Sequence, residues 1–258
     1  MSVITINNVS KIFNEGQANE VVALQDINLE IEAGEFVSLI GPSGCGKSTL
    51  LRLIADLLSP SQGQLSVNGK SPEAARLARE YGFVFQASTL YEWRTIRKNV
   101  MLPLEIMGYA AEEQTSRAQK MLEMVELSKF GNHYPRQLSG GMQQRASIAR
   151  ALAFEPPLLL MDEPFGALDE FTRDRMNMEL LRIWQQTQTT IVFVTHSIAE
   201  AVFLSNRVVV MSARPGRIKD MIGVDLPYPR LFETREEAGY FTAVTQVRES
   251  LRDAFLSA

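Results

Sequence analysis

"GPSGCGKSTL", residues 41–50, holds three glycines and no acid, and its lysine is followed by two hydroxyls. It is preceded by "EFVSLI", a continuous apolar run of the kind a buried parallel strand carries, and followed by Leu50, Leu51, Ile54 and Leu58 at helical spacing. The glycine-rich segment is therefore predicted to be a loop between a strand and a helix. In that setting the pattern G-x-x-x-x-G-K-S, Gly41 to Ser48, describes a cradle for phosphate. Glycines let successive backbone N–H groups point inward, the helix adds the positive end of its dipole, and Lys47 brings a full charge to the β- and γ-phosphates. Ser48 supplies a hydroxyl for Mg²⁺. The candidate binding set is Gly41, Ser43, Gly44, Cys45, Gly46, Lys47, Ser48 and Thr49, and the expected ligand is a nucleoside triphosphate with Mg²⁺. Cys45 has two readings: a thiol activated by the helix N-terminus and Lys47, or a small spacer.

Outward from this loop, "VITINNVSKIF" and "LQDINLEIEAGE" alternate apolar and polar residues, with Leu24, Ile27, Leu29 and Ile31 on or near one face. This is the period of half-buried antiparallel strands. Buried-strand patterns recur at "YGFVF", "LLLMD", "TIVFVT" and "RVVVMS". The polar and helical stretch 87–157 separates the first two, and Ala118, Met121, Leu122 and Val125 within it keep helical spacing. A mostly parallel sheet with a helical insertion is the simplest architecture. After "ARPGRI" the tail is rich in proline and charge, and then places Phe241, Val244, Val247, Leu251 and Phe255 at steps of three or four. That spacing predicts an amphipathic helix docked on the body or on a partner.

Composition bounds the function. The 258 residues are 45% hydrophobic and 22% charged, with net charge −4, enough for a sizeable core. A pI near 5.4 argues against nucleic acid and against anionic lipid as a direct partner. The chain has no apolar run near the roughly 20 residues that cross a bilayer and no export signal at its start. Its single cysteine, Cys45, permits no internal disulfide. These features predict a cytoplasmic protein that meets a membrane only through a partner.

Two further stretches carry chemistry. "LLLMDEP", residues 158–164, ends a buried strand in two acids, at the edge where open α/β sheets bind ligands. Asp162 is suited to hold Mg²⁺, and Glu163 to orient or deprotonate an attacking water. His196, just after "TIVFVT", stands at another strand end within reach of a γ-phosphate, whereas His133 has no such context.

"LSGGMQQR", residues 138–145, makes the reading specific. With the phosphate loop, Gln86 after "GFVF", the Asp-Glu pair, "GALD" and His196 in the same order, the sequence resembles the ATP-binding subunit of an ABC transporter over residues 1 to about 225. The resemblance implies an α/β fold, a P-loop NTPase (RecA-like) core with an antiparallel β subdomain and an inserted α-helical subdomain. The core would span 1–86 and 158–225, the helical insertion 87–157, and the tail with its helix 226–258. It implies a head-to-tail dimer in which Ser139, Gly140 and Gly141 of one copy close the ATP site of the other. Phe13 would stack on adenine, Gln86 would touch Mg²⁺ and the attacking water, Asp169 would communicate across the interface, and His196 would steady the γ-phosphate. Lys47, Gln86, Glu163 and His196 form the expected catalytic set, and Ser48, Gln86 and Asp162 the expected metal ligands. Met142 stands where many members have glutamine, and Phe13 where tyrosine is commoner; the first puts a side-chain contact in question and the second loses a hydroxyl.

The finer resemblance is to importers of the nitrate, sulfonate and taurine branch, through "FGALDEFTRDRMNMELLRIW", "MSARPGRI" and the short tail after "VDLPYPR". It implies a membrane permease as partner, a solute-binding protein acting through that permease, and a peripheral position on the cytoplasmic face of the inner membrane. Related members also serve pyrimidine precursors. Leu90, Tyr91 and Trp93 are expected either to dock the permease or to pack inside the helical insertion. An exporter's ATPase would share the same hydrolytic site. A soluble ABC ATPase would carry two cassettes or a long coiled-coil insertion, and a small-molecule kinase leaves the signature unexplained.

Overall fold

The computed structural model describes residues 2–256, with side chains to residue 254. The chain opens with β1 (Ser2–Phe13) and β2 (Val21–Glu32), then β3 (Phe36–Ile40), α1 (Lys47–Ile54), β4 (Gln62–Val67), α2 (Pro72–Leu77) and β5 (Tyr81–Val84). Helices α3 (Ile96–Ile106), α4 (Ala111–Met124) and α5 (Gly140–Leu152) intervene before β6 (Leu158–Asp162). There follow α6 (Glu170–Thr187), β7 (Thr190–Val194), α7 (Ile198–Leu204), β8 (Arg207–Met211), β9 (Ile218–Gly223) and α8 (Ala238–Leu256).

Two sheets result. The smaller is antiparallel, in the order β2-β1-β4, and the larger runs β5-β6-β7-β3-β8-β9. In the larger sheet all pairings are parallel except that of β8 with β9. This is the α/β arrangement that the sequence predicts. Alternation along each parallel strand feeds two cores, as expected for a sheet covered on both faces. Val37, Leu39, Leu158, Leu160, Val209 and Met211 join the apolar face of the small sheet and α1. Phe36, Ile40, Leu159, Met161, Val208 and Val210 join the helices on the other side, where Phe36 meets Trp184 edge-on at 6.0 Å.

The parallel order places the site. The C-terminal ends of β5, β6, β7, β3 and β8 all emerge at one edge, bringing Gln86, Asp162–Glu163, His196 and the loop after Ile40 together. Two expectations change in detail. Helix α1 stops at Ile54, short of Leu58, because Asp56 turns into the left-handed region at φ 50°. Helix α8 packs through Tyr240, Ala243, Val247, Leu251 and Ala254, while Phe241 is 58% exposed and Val244 lies at the margin. Phe255 falls outside the described side chains. Among the described residues no helix is long and apolar enough to cross a membrane.

Candidate functional site

The loop between β3 and α1 has its open amides where the sequence places them. Gly46 is the N-cap of α1 at φ 102° and offers no side chain to bond the first-turn N–H groups. Those donors remain free for a ligand. A Cβ on Gly46 would lie 2.5 Å from Leu24 Cδ2, so only glycine lets the loop lie against β2. Lys47 is only 4% exposed, and its ammonium donates to the carbonyls of Gly41 at 2.8 Å and Pro42 at 3.0 Å. The cation thus spans the loop it must serve. Cys45 packs into the apolar core beside α1, is 1% exposed, and its Sγ lies 3.8 Å from Lys47 Nζ. Burial pushes its thiol pKa up, outweighing the pull of Lys47, which removes the activated-thiol reading and leaves the spacer.

Ser48 donates from Oγ to Asp162 Oδ1 at 2.7 Å. The next residue, Glu163, sits in the left-handed region at φ 48°, a conformation uncommon outside glycine. Its carboxylate oxygen Oε1 lies 2.6 Å from His196 Nε2. A cavity of about 420 Å³ is lined by Phe13, Ser43, Gly44, Gly46, Lys47, Ser48, Thr49, Glu163 and His196, and also by Val21, Ala23 and Arg214. The last three were not singled out from the sequence. For Arg214 the signal was available: it follows "RVVVMS", another strand of the parallel set.

Glu163 and His196 also form part of the wall of an adjoining cavity of about 460 Å³, and Gln86 lines this second space rather than the first. The glutamine amide Nε2 lies 3.4 Å from where a Cβ on Gly166 would sit. Hydroxyl, carboxylate and amide oxygen are hard donors of the kind Mg²⁺ prefers, with phosphate oxygens and water completing the octahedron. Ser48 and Asp162, in contact with each other, fit that group, and Gln86 offers the same chemistry from the adjoining cavity.

The signature lies elsewhere on the surface. Ser139 caps α5, its Oγ accepting from Met142 N at 3.4 Å, and Gly140 beside it is exposed. Gly141 is buried against α6, where a Cβ would come within 2.8 Å of Thr172 Cγ2. Asp169 caps α6 by accepting from Thr172 N at 3.0 Å, and that backbone bond holds its carboxyl below the usual range. Among the described residues, none of Ser139, Gly140, Gly141 and Asp169 lines either cavity. Beyond Gln86, Leu90 is buried, contrary to the docking expectation, whereas Tyr91 and Trp93 are 41% and 74% exposed. Their rings stack at 4.8 Å.

Comparison with known proteins gives the same direction. A family model described as ABC transporter matches residues 24–166. An aliphatic sulfonates import ATP-binding protein of Bacillus cereus is 45% identical over 88% of this chain and 88% of its own. A nitrate import ATP-binding protein of Synechocystis is 43% identical, covering 96% of this chain and 95% of its own. Among solved structures, an ATP-binding cassette in a dimeric, post-hydrolysis state bound to ADP and Pi superposes with TM-score 0.75 at 37% identity, covering 87% of this chain and all of that one.

Proposed function

Since the chain belongs to the ABC transporter family, we propose that it is the ATPase subunit of an importer, driving uptake of a small solute through a membrane permease. The solute class is of the nitrate, sulfonate, taurine or pyrimidine-precursor type, in line with the relatives described as nitrate and sulfonate import proteins. One observation carries the reading: the signature at the start of α5, exposed at Ser139 and Gly140, stands outside the cavity lined by the phosphate loop, Glu163 and His196. A second copy, set head to tail, brings Ser139 and the amides of Gly140 and Gly141 over that cavity.

Each residue then has its work. The loop amides and Lys47 hold the β- and γ-phosphates, and Lys47 exchanges the carbonyls of Gly41 and Pro42 for phosphate oxygens. Phe13, which lines the cavity, stacks on the adenine. Ser48, Asp162 and Gln86 would hold Mg²⁺, which would neutralise charge on the β- and γ-phosphates. Glu163 accepts the proton of the attacking water, and His196, whose Nε2 lies 2.6 Å from Glu163 Oε1, steadies the γ-phosphate. Asp169, at the start of α6 beside the signature helix, transmits the state of one site to the other. Loss of the γ-phosphate contacts opens the dimer. Tyr91 and Trp93 form the exposed aromatic surface for the permease, so the subunit works as a peripheral protein at the cytoplasmic face.

The test is to express Glu163→Gln in its native host, solubilise membranes with MgATP present, and identify what copurifies. A multi-span permease encoded beside a solute-binding protein supports the importer. Recovery with ribosomes, or with no membrane protein, refutes the transport role and leaves the ATPase chemistry standing.

A further inference from the structure

The motif "MSARPGRI", residues 211–218, has no part in the site as assigned, yet it touches the phosphate loop. Strand β8 pairs with β3 in parallel register, so the turn that follows emerges beside the loop. Arg214 Nε donates to the carbonyl of Gly44 at 3.0 Å, and Arg214 shares the wall of the cavity with Lys47 and Ser48. Gly44, at φ 74°, lacks the Cβ that would lie 2.9 Å from Arg214 Nη2. Two residues on, Gly216 lies so close that a Cβ there would overlap the Cys45 carbonyl oxygen. Its own N–H donates to Ala23 O at 3.0 Å, and its carbonyl accepts from Gln25 N at 2.9 Å.

The turn is itself held in shape. Ser212 N donates to Arg217 O at 2.9 Å, and Arg217 N donates to Ser212 Oγ at 3.1 Å. Arg217 also reaches Asp26 Oδ2 at 3.0 Å. One six-residue turn therefore ties two walls of the cavity together, the loop at Gly44–Cys45 and β2 at Ala23–Gln25.

We propose that the turn 212–217 braces the phosphate loop, with Arg214 as a positioning residue for the nucleotide; the inference rests on the ATP-binding reading above. The physics is that of the peptide plane. In a trans peptide the C=O and the following N–H point in opposite directions. A guanidinium bonded to the Gly44 carbonyl fixes that peptide plane and with it the Cys45 N–H, which donates within the loop to Pro42 O at 3.2 Å. Gly216, pressed against the Cys45 carbonyl, sets the next plane. The backbone of the loop is thus set before the phosphates arrive, and the brace acts on affinity rather than on the chemical step.

Arg214→Ala, Arg214→Lys, Arg214→Gln and Gly216→Ala, each compared with the wild type, test this through KM for MgATP, kcat and equilibrium ATP affinity. Arg214→Ala is expected to raise KM and the ATP dissociation constant about tenfold, the order of one charge-assisted hydrogen bond, with kcat within about twofold. Arg214→Lys and Arg214→Gln, which keep a donor, recover most of the loss. Gly216→Ala reproduces the affinity loss with Arg214 intact, by lifting the turn off Cys45. Arg214 is exposed, so an unchanged melting temperature separates positioning from folding. Wild-type affinity in both Arg214→Ala and Gly216→Ala overturns the brace. So does a loss that Gln cannot rescue while Gly216→Ala behaves as wild type, since that result assigns Arg214 a direct charge contact with phosphate. Wild-type protein that does not bind MgATP overturns the ATP-binding reading itself.

Discussion

Replacing Glu163 with glutamine exchanges one carboxylate oxygen for an amide NH₂ at the point where the two cavities meet. Glutamine keeps the length of the side chain and an oxygen that can accept the bond from His196 Nε2, made at 2.6 Å in the native protein. The left-handed backbone at φ 48° is fixed by its neighbours: Glu163 N donates to Val194 O at 3.1 Å, and Gly166 N donates to Glu163 O at 3.1 Å. The substitution therefore leaves the fold and the phosphate loop as they are and removes only the base. General-base contributions are on the order of 10²–10⁴ in rate, about 3–5 kcal/mol of barrier. Turnover should fall by that factor, while ATP affinity stays within about twofold because the contacts proposed for ATP come from residues 41–49, Phe13 and His196 rather than from Glu163. A continuous phosphate-release assay gives kcat, and equilibrium titration with ATP gives affinity. Turnover within tenfold of wild type would remove Glu163 from its role. A parallel loss of ATP binding would show instead that the carboxylate shapes the pocket.

Two further outcomes follow from burial. Cys45, 1% exposed with its thiol pushed up by burial, should react with maleimides more slowly at pH 7 than an unfolded-chain cysteine, and still more slowly with MgATP bound; rapid labelling of the native protein contradicts its position. Glu200, buried beside Thr195 and facing Arg173, Asp174 and Arg235, has its pKa raised above the ordinary 4.5, chiefly by burial. The acid form is the one the fold favours, so this contribution is fully present below pH 4.5 and is lost as pH rises through the higher folded value. Glu200→Gln should flatten the fall of urea-unfolding stability over that window, and an unchanged slope refutes the assignment.

The loop, the acid pair and His196 could be read from residues alone because each combines a strand end with chemistry that a parallel sheet gathers at one edge. What escaped has identifiable causes. Strand β4 is written "QGQLSV", too polar for a buried-strand pattern, because it pairs only with β1 and forms the margin of its sheet. The alternation of β1 and β2 is interrupted at Asn8 and Asp26, both at φ near 50°, where the ladder shifts register. Such left-handed steps are tolerated by Asn and Asp. In α8 the apolar set at Phe241 and Val244 had the right period but the wrong phase: Tyr240 and Ala243 face the body instead. A small alanine and an amphipathic tyrosine carry less hydrophobic signal than phenylalanine and valine. Leu90 and Trp93 are three residues apart on a loop, and only tertiary packing decided that one is buried and the other exposed. Arg214 was missed as a site residue because its partner is a backbone carbonyl, and only its place just after the parallel strand "RVVVMS" marked it in the sequence.

The central claim, that ATP is held between two copies of this chain, is tested most directly by the mass of Glu163→Gln in solution. Light scattering on the size-exclusion peak, with and without MgATP, should move from the 28.9 kDa monomer to twice that mass, with two nucleotides per dimer, and Ser139→Arg should block the shift. A protein that binds MgATP with wild-type affinity and stays at the monomer mass would contradict the account.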